Sequence, residues 1–411
     1  MDIGSIRPYP KNAKKHPAKQ VEQIAASIRE FGFNQPIVVD QYDVIIVGHG
    51  RYEAAKILGL KEIPVLKLNV TEEQAKAYRL ADNKLNESDW DMGLAIEDLK
   101  TLSDQLFDLT GFDRDLLIDP NELDDVIPEN VPSKSKRGDL YELGRHRVLC
   151  GDSTKKDEVE KLMDGKKADL FITDPPYGVS YADKNKSLNA ISTANRIQTP
   201  IENDHLTVDE MKSIWTTSFS NAHEAVVDSG CYYINAMQGG DLMMMMMMMS
   251  ILESGWNLKH MMIWIKNNHV LGRMDYHYQH EPIFYGWKEG KSHKWFGGHS
   301  QTSVWKVDKP LKSNLHPTMK PVELVCKPIF NSSERDDVIL DLFLGSGSTL
   351  IACEKTNRIC YGMEIDPHYT DVIVQRYVDY VNNPQVKLNG KVIEWQKTPK
   401  TRAPIKTLTS V

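Results

Sequence analysis

Apolar positions in the first part of the chain recur at helical and then at strand spacing. Val21, Ile24, Ala25, Ile28 and Phe31 fall on one helical face, and Gly32 stands where such a helix would end. Short apolar runs at 37–39 and 44–47 predict strands. After them Gly48-His49-Gly50-Arg51 leads into a helix over 52–58 that Gly59 can close. A further strand is expected at 65–68, and Thr71-Glu72-Glu73-Gln74 has the spacing of a capping box. Residues 1–90 thus read as a small α/β unit, followed by a helical stretch carrying Leu94, Ile96, Leu99, Leu102 and Leu106.

From residue 138 the pattern is that of a larger sheet. Residues 138–143 and 146–150 flank Gly144-Arg145 in the manner of a hairpin. Ala168–Thr173 has the composition of a short buried strand. The two prolines beyond it cannot donate backbone hydrogen bonds, so pairing must stop at Asp174-Pro175-Pro176-Tyr177. Strands are also expected at 231–235, 261–266, 338–343 and 359–364, the last two separated by Leu344-Gly345-Ser346-Gly347-Ser348-Thr349 and a helix. Strands alternating with helices predict an open α/β sheet. Residues 178–200 lack apolar periodicity and read as a loop over the site, and 386–411 reads as a tail. Seven consecutive methionines, 243–249, occupy a helix slot. Consecutive residues point all round a helix, so they cannot converge on a metal ion.

The composition, 41% hydrophobic and 26% charged over 411 residues, is that of a globular chain with two or three domains. No apolar run approaches a membrane span and the first residues lack a secretory core, so the cytoplasm is the expected location. Five cysteines form no Cys-x-x-Cys pair, and no metal site is expected. The net charge of −7 is local: residues 112–130 hold seven acids against Arg114, a net of −6. With Pro120, Pro128 and Pro132, and Ser133 to Gly138 after them, this stretch reads as part of a linker over 91–137 with the boundary near 120–138. Residues 286–316, by contrast, carry six lysines against Glu289 and Asp308, interleaved with Trp287, Trp295 and Trp305. Such a mixture suits phosphate contacts and base stacking.

The chemistry lies at the strand ends. A carboxylate and a proline carbonyl, at Asp174 and Pro175, can each accept from an NH2 group, and Tyr177 can stack on the heterocycle that carries it. The strand, glycine turn and helix at 338–355 form half of a nucleoside site. Glu364, 19 residues beyond Gly345, is placed to reach ribose hydroxyls. Gly48 to Arg51 sets a helix N-terminus and a guanidinium where an anion would bind.

On Asp174-Pro175-Pro176-Tyr177, Phe343-x-Gly345-x-Gly347 and His316-Pro317-Thr318-Met319-Lys320-Pro321, residues 138–385 resemble the DNA amino-methyltransferases of the permuted β-type, in which the catalytic motif precedes the cofactor motif. The resemblance implies a Rossmann-like sheet, S-adenosylmethionine as cofactor and double-stranded DNA as substrate. It implies catalytic roles for Asp174, Pro175, Pro176 and Tyr177, and cofactor contacts from Asp152, Thr318, Lys320, Asp341, Phe343, Gly345, Gly347, Thr349 and Glu364. DNA contacts are expected from Asn203, Lys266, Arg273, Lys288, Lys294 and Lys306, with the recognition region at about 267–316. Asp in place of Ser at the head of the motif favours adenine N6 over cytosine N4. The first 90 residues resemble the ParB/sulfiredoxin-type domain, with Gly48, His49, Gly50 and Arg51 as phosphate or nucleotide contacts and Asp82-Asn83-Lys84 as a second segment. The turn lacks the cysteine that sulfiredoxin chemistry needs. A rival reading is a nucleotide-gated DNA-binding or nuclease protein with an inactive second domain.

Overall fold

The computed structural model describes residues 1–10, 12, 14–85, 92–112, 114–118, 121, 123–129, 131–177, 206–238, 242–269, 275–290, 292–298, 301–308 and 319–396. The chain divides into two compact units, Met1–Leu117 and Ile118–Val411. Among the described residues no helix is long and apolar enough to cross a membrane.

The first unit is built on strands β1 (Ile37–Val39), β2 (Ile45–Val47) and β3 (Val65–Lys67), in the order β2-β1-β3. Ile6, Ile37, Val39, Ile45, Ala55 and Ile63 form its core. The helix Ala18–Phe31 buries Val21 and Ala25 and stops at Gly32, while Phe31 is left 55% exposed instead of joining the apolar face. The helix after β2 begins three residues earlier than expected, at His49, with Gly48 at its N-cap. The capping box at Thr71 forms: Gln74 N donates to Thr71 Oγ1 at 3.2 Å and Thr71 N to Gln74 Oε1 at 2.9 Å.

The second unit is organised by one sheet of eleven strands. In chain order these are β4 (Leu140–Leu143), β5 (His146–Cys150), β6 (Ala168–Thr173), β7 (Val226–Asn235), β8 (Asn257–Ile265), β9 (His280–Trp287), β10 (Val304–Lys306), β11 (Val338–Asp341), β12 (Ile359–Glu364), β13 (Gln385–Leu388) and β14 (Lys391–Glu394). Across the sheet they lie in the order β10-β8-β9-β7-β6-β11-β12-β5-β4-β13-β14. The centre, β7-β6-β11-β12-β5, is parallel. Strand β9 returns antiparallel between β7 and β8. Phe171, Trp215, Phe219, Tyr232, Trp256 and Leu340 belong to the fully or nearly fully buried core of this unit. Strands β6 and β11, far apart in sequence, are neighbours, so the ends of Ala168–Thr173 and Val338–Asp341 open at the same edge.

Two expectations change here, and a third is filled in. The acidic stretch is not a free tether, because Asp124 and Asp125 are bonded within the second unit. Asp124 pairs with Lys355 and its carbonyl accepts from buried Arg376, while Asp125 Oδ1 accepts from Val322 N at 3.0 Å. The latter satisfies a donor that Pro321, at the N-cap of the helix Val322–Ser332, leaves open. The start of the expected tail is a hairpin at the sheet edge, β13 with β14, turned by Asn389 and Gly390 at φ 49° and 79°. The methionine run lies in the helix Leu242–Glu253, where Met247 is buried in the core while Met245 and Met249 are exposed.

Candidate active site

The ends of β6, β11 and β12 open into a cavity of 420 Å³. Its floor is cross-linked by polar side chains. Thr173 Oγ1 donates to Asp341 Oδ1 at 2.7 Å, Thr349 Oγ1 to Asp341 Oδ2 at 2.6 Å, and Phe343 N to Oδ1 at 3.1 Å. Asp341 therefore ties the end of β6 to the glycine turn after β11, its oxygens engaged by the protein. Burial pushes this carboxyl up to about 6 despite those donors.

The Asp174 to Tyr177 turn is held from below. Trp215 Nε1, on a helix opened by the Thr207–Glu210 capping box, donates to Pro176 O at 2.9 Å. Asn235 Nδ2, at the end of β7, donates to Thr173 O at 3.2 Å. Asp174 itself is gripped on both oxygens: Oδ1 accepts from Tyr177 OH at 2.5 Å, and Oδ2 from Lys320 Nζ at 2.6 Å. The phenol thus donates to the same carboxylate that an incoming amine would use.

On the other side the glycine turn closes over Glu364. Gly345 N donates to Glu364 Oε2 at 2.8 Å and Asp366 N to Oε1 at 3.0 Å. Glu364 is pushed up to about 7, mainly by burial, with these backbone donors opposing. Gly345 and Gly347 sit at φ 55° and 86°, a region that costs any side chain. Gly347 does not line the cavity, unlike Phe343, Gly345, Thr349 and Lys320. Its part is to let the turn pass Ile373, 3.3 Å from where a Cβ would stand. Asp152 lines the cavity, but its Oδ1 also accepts from Thr154 N and Oγ1, a turn-forming role. Thr318 lies outside the described residues.

Sequence reading missed Arg137, Asn235 and Tyr369, all of which line the cavity, as does Met319 of the expected 316–321 motif. Asn235 Oδ1 is buried with no donor among the described residues, so the cavity presents an acceptor that a ligand can satisfy. A polar residue closing an apolar strand, as Asn235 does, was the available signal.

The expected DNA contacts fare unevenly. Asn203 and Arg273 lie outside the described residues, as does the whole loop expected over 178–200. Lys266 is 3% exposed and pairs with Glu281 at 2.8 Å. Lys288 Nζ donates to Val226 O, and Lys294 bridges Asp169 and Asp337 at 2.9 Å each. Because β9 runs against β7, Trp287 lies opposite Cys231 and Ile283 opposite Asn235, so the residues after β9 emerge at the sheet edge away from the cavity. Lys288 and Lys294 are corrected accordingly: they brace the starts of β7, β6 and β11. Lys306 pairs in register with Ile265 and is exposed, on the sheet edge at which the cavity opens but four strands away from β6.

In the first unit Lys14, His16, Gly48, His49, Gly50, Arg51 and Asp82 are among the residues lining a separate cavity of 220 Å³. Arg51 donates to Gln35 O and Oε1 at 3.1 and 2.8 Å. His49 Nε2 accepts from Tyr9 N at 3.2 Å, and burial, with the Arg79 and His16 charges, lowers its pKa to about 4. His49 therefore serves as a neutral anchor.

A glycine turn on a buried acid, beside the Asp174 turn on the adjacent strand, is the arrangement expected of S-adenosylmethionine-dependent methyltransferases. The DNA methylase profile matches residues 168–375, and the ParB N-terminal domain profile matches residues 1–84. The chain belongs to the DNA methylase family of N6 and N4 amino-methyltransferases, with a ParB N-terminal domain ahead of it. Over 73 residues, 18% of this chain and 84% of the relative, it is 41% identical to the ParB-like nuclease domain-containing protein YnaK of Escherichia coli K12. Over 139 residues it is 29% identical to the type II methyltransferase M.Cfr9I of Citrobacter freundii, covering 31% of this chain and 46% of that enzyme. The chain thus spans less than half the length of that enzyme. The solved M1.HpyAVI–SAM complex aligns with a TM-score of 0.40 at 21% identity, covering 56% of this chain and 97% of that one.

Proposed function

We propose that the chain transfers a methyl group from S-adenosylmethionine to N6 of adenine in DNA. The observation that carries this reading is that Asp174 and the Gly345–Glu364 contact line one cavity, at the ends of adjacent strands. The cavity fits the donor: Glu364 is placed for ribose hydroxyls, the positive-φ turn admits close backbone approach, and Asn235 Oδ1 awaits a hydrogen-bond donor. When bound, S-adenosylmethionine supplies an electrophilic methyl on a sulfonium, so no strong nucleophile is needed. The task of the protein is alignment.

The target base flips out of the duplex to reach the cavity. Its NH2 takes the place of the Tyr177 phenol as donor to Asp174 Oδ1, with the Pro175 carbonyl as second acceptor, and the Tyr177 ring is released to stack on the base. These bonds keep the nitrogen lone pair out of the ring, and Asp174 offsets the positive charge that grows on nitrogen; the methylated nitrogen then sheds one proton to solvent, and the donor leaves as the neutral thioether. Lys306, exposed on the sheet edge at which the cavity opens, is proposed as a phosphate contact. The basic cavity at Gly48 to Arg51 is proposed to hold a nucleotide or DNA phosphate.

The test is transfer of a tritium-labelled methyl group to DNA, followed by mass spectrometry of the nucleosides. N6-methyldeoxyadenosine is expected; N4-methyldeoxycytidine would move the assignment to the other base. Asp174→Ala should lower the rate on the order of 10³-fold while cofactor still binds. Methylation at the wild-type rate by that variant would overturn the assignment of Asp174.

A further inference from the structure

Charged side chains that the sequence assigned to separate tasks form one buried chain at the cavity edge. Lys320 Nζ lies 2.6 Å from Asp174 Oδ2 and 3.3 Å from Glu281 Oε2. Glu281 Oε1 in turn accepts from Lys266 Nζ at 2.8 Å and from Gln238 Nε2 at 3.2 Å. Glu281 reaches this place because β9 returns antiparallel to β7 and β8, pairing Glu281 with Trp264 and His280 with Ile265 where β8 ends. Lys266 and Lys320 are 3% and 8% exposed, so taking a carboxylate from either leaves a charge that water cannot fully solvate.

A lone lysine on a four-carbon stem has many rotamers and holds a carboxylate loosely. Two carboxylates on either side of the ammonium fix it. We propose that Glu281 is a positioning residue for methyl transfer: it pins Lys320 against Oδ2 of Asp174, which keeps Oδ1 turned toward the target amine. Lys266 and Gln238 hold Glu281 at the distance where it shares Lys320 with Asp174. The inference rests on the reading of Asp174 as the amine acceptor.

The experiment is single-turnover methyl transfer, expressed per cofactor-loaded enzyme, with the loaded fraction titrated in each preparation. Wild type is compared with E281Q, E281D, K320M, the E281Q/K320M pair and D174A. Glu281→Gln should slow transfer about tenfold, and Lys320→Met more. In the K320M background E281Q should add less than about twofold, because Glu281 acts through Lys320. A purely structural role would lower the loaded fraction and leave the rate per loaded enzyme at the wild-type value. If E281Q yields no loaded enzyme, Glu281→Asp carries the test through the same K320M comparison. A rate for E281Q within about twofold of wild type, or effects that multiply in the pair, would overturn the proposal. If D174A transfers methyl at the wild-type rate, the reading of Asp174 falls and this inference with it. If D174A is inactive while E281Q is normal, only the positioning role falls.

Discussion

Gly48 and Gly347 each stand at the N-cap of a helix, in the left-handed region at φ 102° and 86°. In both units a strand, a glycine turn and a helix N-terminus present backbone N–H groups to a cavity. The side chains around them differ in sign. Lys14, His16 and Arg51 line the first cavity beside a single acid, Asp82, whereas the second has Asp152, Asp174, Asp341 and Glu364 against Arg137 and Lys320. A backbone turn of this kind does not choose its ligand. The surrounding charge does: bases select phosphate, while buried carboxylates repel a pyrophosphate and welcome hydroxyls and a sulfonium.

The strongest way to break that comparison is to remove the acid that separates the two turns. Glu364→Gln should weaken S-adenosylmethionine binding on the order of 100-fold, as loss of a buried charged hydrogen-bond acceptor does. The pH dependence sharpens it. Glu364 sits at about 7 in the free protein, above its ordinary 4.5, so between those values the folded state holds the proton more tightly than the unfolded chain. Its contribution to stability is fully present below 4.5 and is lost as pH rises through 7. A ligand that donates hydrogen bonds to the carboxylate releases that proton. Affinity measured by calorimetry should therefore rise with pH, by up to about tenfold per unit, and level off above neutrality. A pH-independent affinity in wild type, or an unchanged slope in E364Q, would remove Glu364 from the ligand contact.

Arg51→Ala is expected to act on the other turn, with a smaller effect. Its guanidinium already donates to Gln35, so it is preset instead of being ordered on binding. Titrating a fluorescent nucleoside triphosphate into the full chain should show a loss of about tenfold, the worth of one charge-assisted contact. The salt dependence should fall with it. Unaltered binding would show that the basic cavity does not hold the phosphates.

The sequence made the two turns legible because their chemistry is local. Pro175 and Pro176 stop a strand whatever surrounds it, and Gly345 and Gly347 can take up positive φ without the cost of a side chain. Lys266, Lys288 and Lys294 were misread for the opposite reason. A lysine in a basic, aromatic-rich stretch is a surface cation until the direction of β9 is known, and only that direction reveals which sheet edge it meets and which acid lies opposite. Asp124 and Asp125 were hidden likewise, since their partners Lys355 and Val322 are about 200 residues further along. The Asn389-Gly390 hairpin was in plain view, a strong short-range turn signal between two runs of alternating polarity.

The smallest effect tests the shared backbone device itself. An alanine at either N-cap glycine must enter the left-handed region at a cost of about 1–2 kcal/mol. The surroundings then separate the two sites. At Gly347 the new Cβ would meet Ile373 Cγ1 at 3.3 Å, and Ile373 is a buried, branched side chain with nowhere to move. At Gly48 only one near atom, Cγ1 of the buried Ile37 at 3.3 Å, belongs to such a side chain. The other two are Nε and Nη2 of Arg51, the flexible end of a long side chain, whereas at Gly347 all three belong to Ile373. Gly347→Ala should therefore lower the urea midpoint more than Gly48→Ala, by the equivalent of roughly 0.5–1 kcal/mol. It should also weaken cofactor binding several-fold, because the Gly345 N–H to Glu364 contact depends on the same turn. Equal loss in the two variants would mean that backbone strain alone sets the cost, and that contact with the helix carrying Ile373 plays no part in shaping the cofactor turn.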